Sequence, residues 1–126
     1  MACRTSELVL KCRDLEVLAR FWCEVLDFIV LDREEGVYIK IGPREGFGGP
    51  QPTIFLIRND EAKSGHVRLH IDVNPTDRDQ DAELGRLLAA GAKLVDIGQP
   101  ADASWHVLAA PEGNEFCLLK RRLDPL

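Results

Sequence analysis

Two stretches of this chain, offset by about 60 residues, follow one plan, and that repeat limits the fold more than any other feature. In the first, Glu7–Cys12 alternates as a short strand, with Leu8, Leu10 and Cys12 on one face and Glu7, Val9 and Lys11 on the other. Asp14 can cap a helix in which Leu15, Leu18, Phe21, Trp22, Val25 and Leu26 recur at helical spacing, ending near Asp27. Ile29–Asp32 and Val37–Gly42 read as a hairpin around Arg33–Gly36. After the Gly/Pro loop Gly42–Pro52, the β-rich run Thr53–Arg58 reads as a fourth strand.

Past the polar linker Asn59–Gly65 the plan returns. Arg68–Val73 alternates strictly, with Leu69, Ile71 and Val73 on one face and Arg68, His70 and Asp72 on the other. Asp77 can cap a helix whose first turn carries Asp79 and Asp81, charges suited to the positive end of the helix dipole. Leu84, Leu87 and Leu88 form its apolar stripe, and Gly91 suits the position just past its end. Strands are expected at Lys93–Ile97, Trp105–Ala110 and Glu115–Lys120, the last two joined by the turn Pro111–Asn114.

Both halves therefore read β-α-β-β-β. The expected fold class is α+β: a single domain over residues 1–126, with two tandem βαβββ units at about 6–58 and 66–121 forming a curved mixed sheet around a central cavity. Glu7 stands as far before Asp14 as His70 stands before Asp77, so the repeat aligns Glu7 with His70. Aligning TIFLI with EFCLL sets Phe55 against Cys117. Strand parity then turns Glu7, Lys11, Tyr38, Lys40, Phe55, Arg68, His70, Asp72, His106 and Cys117 toward the open faces, with Trp105 as a further wall residue. A polar lining with aromatic members is what a small-molecule site needs.

Composition removes several classes of function. A net charge of −5 leaves no basic stripe to neutralise phosphates, so nucleic acid is not an expected partner. No apolar run approaches the ~20 residues that span a bilayer, and MACRTSE lacks the apolar core of a signal peptide. A cytoplasmic location is expected. Cys3, Cys12, Cys23 and Cys117 form no C-x-x-C pair, so neither a zinc knuckle nor a redox motif is present, and a reducing compartment would keep them as thiols.

The stretches CRDLEVLARFWCEVLDF, LHIDV, LLAAGAKLVD and APEGNEFCLL together resemble the vicinal oxygen chelate superfamily, which includes glyoxalase I, bleomycin-resistance proteins and extradiol dioxygenases. The resemblance covers essentially the whole chain and is nearest to the compact bacterial glyoxalase-like proteins. It implies four metal-ligand positions, on the first and last strands of each repeat, which fall here on Glu7, Phe55, His70 and Cys117. Phe55 cannot ligate. Glu7 and His70 are competent donors for Zn²⁺, Fe²⁺ or Ni²⁺, and Cys117 could serve as a thiolate. The resemblance also allows the repeats to pair within one chain or across a homodimer.

Each residue also has a plainer role. His70, the leading catalytic candidate, could instead be a cavity histidine hydrogen-bonded to Arg68, Asp72 or backbone. Glu7 could be a solvated carboxylate and Cys117 an inert buried thiol. The loop GPREGFGGPQP has neither G-x-G-x-x-G nor a P-loop Lys-Ser/Thr, so it reads as an edge of the cavity. Three functions are thus expected. The first is a small-molecule-binding protein without the full metal site, and no cofactor is favoured for it. The second is a lyase, isomerase or dioxygenase using a divalent metal on Glu7 and His70. The third is an accessory domain with a vestigial cavity.

Overall fold

The structure, a computed structural model, describes residues 2–125. The chain divides between Ala62 and Lys63 into two compact units. The first contains β1 (Glu7–Cys12), α1 (Leu15–Leu26), β2 (Ile29–Glu34), β3 (Tyr38–Gly42) and β4 (Thr53–Arg58). The second contains β5 (Ile71–Val73), α2 (Gln80–Ala90), β6 (Lys93–Leu94), β7 (His106–Ala109) and β8 (Glu115–Leu118). Their sheets share one topology, β1-β4-β3-β2 and β5-β8-β7-β6, and the first and last strands of each unit pair in parallel. The expected pair of βαβββ units is present, as two four-stranded mixed sheets.

In the first unit the apolar stripe of α1 packs on β3 and β4. Leu18, Phe21 and Trp22 bury against Ile39, Ile41, Ile54 and Leu56, which alternate with residues of the opposite face. Asp14 caps the helix by accepting from the Val17 amide at 3.1 Å. Asp27 ends it in the left-handed conformation at φ 55°, its amide donating to the Cys23 carbonyl. A Cβ on Gly42 would lie 2.6 Å from Thr53 Cγ2 and 2.7 Å from Leu31 Cδ1. Thr53 is therefore held by close approach of backbone. Gly42→Ala should cost ~1–3 kcal/mol by overpacking. Urea denaturation checks this, and a change below ~0.5 kcal/mol would show that the contact relaxes freely.

The second unit departs from expectation at its start. Its first strand is only Ile71–Val73, so Arg68 and His70 precede the strand, and Leu69 is 78% exposed where a core position was expected. The cap of α2 is Asp79, accepting from Ala82 N at 2.9 Å, and not Asp77. The cause lies in the segment between. Asn74 Nδ2 donates to the Arg121 carbonyl at 2.9 Å, Leu123 N to the Pro75 carbonyl at 2.9 Å, and Arg122 Nε to the Thr76 carbonyl at 3.2 Å. Residues 74–76 are thus tied to the C-terminal segment, which delays the helix by two positions. α2 is also less apolar than expected: Glu83 and Leu87 are its buried residues, whereas Leu88 is 37% exposed. Among the described residues no helix is long and apolar enough to cross a membrane.

Candidate functional site

In the second unit β8 lies between β5 and β7, so its side chains decide which residues meet. Cys117 is register partner to Asp72 on β5 and to Val107 on β7, and these three share a face. His70 continues the parity of Asp72 two residues upstream and brings Nδ1 to 3.8 Å from Cys117 Sγ. Trp105, one residue before β7, has the parity of Val107. His70, Asp72, Cys117 and Trp105 line a cavity of about 520 Å³, a size typical of ligand sites.

The remaining wall is Ile97, Gly98 and Gln99, with Leu119 beside them; the strand expected over Lys93–Ile97 ends at Leu94, which leaves Ile97 in this loop. Asp96 Oδ1 accepts from Gly98 N at 2.8 Å, an Asx turn that suits Gly98 at φ 95°. Gln99 accepts from Ile97 N at 2.9 Å and donates to the Val95 carbonyl at 3.1 Å. The D-x-G spacing was the signal in the sequence that could have marked this turn.

Cys117 is 4% exposed. Burial raises its pKa, and the neighbouring Asp72 carboxylate, which accepts its hydrogen bond, raises it further. At neutral pH it remains a thiol that donates to Asp72. Such a sulfur is not an activated nucleophile, and a metal would have to displace its proton to bind it.

Not every expected residue reaches this cavity. His106 pairs with Leu118, which puts it on the face opposite Cys117. Arg68 is exposed and does not line the wall. Tyr38, Lys40, Phe55 and Glu7 belong to the first unit. There Lys40 and Phe55 are cross-strand partners, with Lys40 Nζ 4.6 Å from the ring centroid, and Tyr38 meets the same ring edge-on at 5.2 Å. Tyr38 Oη donates to Asp32 Oδ2 at 2.9 Å, and that bond to a carboxylate raises its pKa. Glu7 Oε2 accepts from Thr53 Oγ1 at 2.8 Å. A cleft of about 460 Å³ lies beside Arg33 and Arg58, whose charges are paired with Glu16 at 2.6 Å and Asp60 at 2.8 Å.

The strand register supports the internal alignment. Val9 pairs with Phe55 as Asp72 pairs with Cys117, so two residues upstream Glu7 matches His70. These positions match a metal-ligand set only in part. Phe55 offers no lone pair, whereas Glu7, His70 and Cys117 carry donor atoms, and among the described residues no three His, Cys, Asp or Glu side chains are gathered to hold an ion.

One carboxylate escaped notice in the sequence. Glu115, on the Cys117 face, is 7% exposed, and its Oε1 lies 2.6 Å from His66 Nδ1. Burial alone would raise its pKa. The hydrogen bond from His66, backbone amides of Glu115 and Val67, and the charge of Lys63 outweigh burial and hold it at about 2. The ionised carboxylate only accepts, so Nδ1 carries the proton. Lys63 Nζ approaches Oε2 at 3.5 Å, an ion pair too long for a good hydrogen bond.

Residues 7–119 match the family model described as a glyoxalase-like domain. No curated protein matches the chain. Among solved structures, the fosfomycin resistance protein FosX from Mesorhizobium loti is similar at 17% identity, with a TM-score of 0.70 over 98% of this chain and 95% of that one. A glyoxalase/bleomycin resistance protein/dioxygenase family enzyme from Burkholderia phytofirmans PsJN has 20% identity and a TM-score of 0.66 over 90% and 94%. FosX from Listeria monocytogenes, in complex with Mn(II) and 1S,2S-dihydroxypropylphosphonic acid, has 15% identity and a TM-score of 0.69 over 94% and 93%. At these identities the structures speak for the fold alone. With its duplicated topology and a family match that runs from the first strand past the last, the chain belongs to the glyoxalase-like domain family of the vicinal oxygen chelate superfamily.

Proposed function

We propose that this protein binds a small molecule in the cavity of its second unit and does so without a divalent metal. The observation that carries this reading is the cavity itself, about 520 Å³ with Trp105, His70 and Asp72 on its wall. The metal-dependent alternative, a lyase, isomerase or dioxygenase using Glu7 and His70, lacks a donor at Phe55, and among the described residues no three candidate ligands are gathered. Members similar in fold include fosfomycin resistance proteins, so drug sequestration is one form such binding would take. The four cysteines, all unpaired, are in keeping with a cytosolic protein.

Calorimetric titration of chelator-treated protein against drug and metabolite panels tests the reading. Binding should occur, and Trp105→Ala should weaken it about tenfold or more, since aromatic anchors dominate such sites. Elemental analysis of unchelated protein should find less than ~0.1 metal per chain. Turnover of a bound ligand, or stoichiometric metal lost in Glu7→Ala, would replace this reading with the metal enzyme.

A further inference from the structure

We infer that the cavity selects an organic cation, an amine carried on an apolar or aromatic body, over an anion. This rests on the reading that the cavity is the ligand site. Among the described residues Asp72 carries the one full charge on its wall, and neither lysine nor arginine contributes to that wall. One hydrogen bond from the Cys117 thiol leaves most of the carboxylate's acceptor capacity unused. Trp105 adds an aromatic face, to which an ammonium group is drawn by the ring quadrupole.

The donors make the same point from the opposite side. An anion needs N–H groups aimed at it, and several of those along the loop are committed elsewhere. Gly98 N donates to Asp96, Ile97 N donates to Gln99, and the Gln99 amide nitrogen donates to the Val95 carbonyl. Leu119 N donates to the Val73 carbonyl. The His70 ring and the Trp105 indole N–H are left to serve an anion, and His70 would do so beside the Asp72 carboxylate. A cation meets an acceptor and an aromatic face; an anion meets like charge and donors that are largely engaged.

A matched charge series tests this: phenethylamine, phenethyl alcohol and hydrocinnamate, titrated into isotopically labelled full-length protein and followed at the Trp105 indole N–H. Phenethylamine should bind about tenfold more tightly than hydrocinnamate, a factor worth 1.4 kcal/mol. Asp72→Asn should erase that preference and leave phenethyl alcohol within ~twofold of its original affinity. Hydrocinnamate binding as well as the amine, or a preference that survives Asp72→Asn, would overturn the cation assignment and leave the ligand site standing. If panel ligands of every charge leave Trp105 unmoved, the site and the assignment both fall.

Discussion

Replacing both His66 and Lys63 with alanine is expected to destabilise the second unit by ~3–5 kcal/mol, the range for breaking a buried ion pair from one side. Glu115→Gln should cost less, ~1 kcal/mol, because its partners can return to water. The order is the test. The side chains of His66 and Lys63 are 70% and 25% exposed and Glu115 is 6% exposed, so a ranking by burial alone would put Glu115→Gln first. Removing the partners leaves a carboxylate in the interior with only backbone amides, whereas removing the charge leaves side chains that water can reach. Thermal unfolding would separate the variants by several degrees.

The same cluster fixes a pH dependence. Glu115 titrates near 4.5 when free and at about 2 in the folded protein. A depressed carboxylate pKa contributes stability that is fully present above 4.5 and is lost as pH falls toward 2. The double alanine variant should show a flatter decline across that window. An unchanged acid slope would mean that other carboxylates govern it.

Trp22→Ala is expected to cost ~3–5 kcal/mol, as large aromatic truncations in a closed core do. Trp22 is 2% exposed and meets Phe21, also 2% exposed, in a T-shaped pair at 5.1 Å. The matching test in the second helix is Leu88→Ala, which should cost under ~1 kcal/mol because Leu88 is 37% exposed. Urea denaturation of both variants makes the comparison. Equal costs would mean that the two helices dock alike, contrary to the burial described.

The first unit was legible in the sequence almost to the residue. Glu7–Cys12 and Thr53–Arg58 have their expected bounds, and Asp14 caps its helix, because local signals there agree with the packing. The second unit was legible in plan but not in detail. VRLHIDV alternates as a strand should, yet its first half leaves the sheet: His66 and the Val67 amide are drawn to Glu115, so pairing begins only at Ile71 with Phe116. Asp77 and Asp79 are equally good caps in sequence. Bonds from residues 121–123 to residues 74–76 decide between them, and no local pattern reports a contact more than forty residues away.

The site divides along the same line. Period-two alternation and the internal repeat turned Asp72 and Cys117 toward the open faces and matched Glu7 to His70 and Phe55 to Cys117; the strand register then made Asp72 and Cys117 neighbours. Alternation also put His106 beside Cys117, and the strand register reversed that by one residue, which in a sheet exchanges faces. The Ile97–Gln99 wall, its engaged donors and the thiol kept protonated by burial and by Asp72 were decided by the tertiary structure. Chain alternation fixes which way a side chain points, but a cavity's charge and free hydrogen-bonding groups depend on what the rest of the fold has already used.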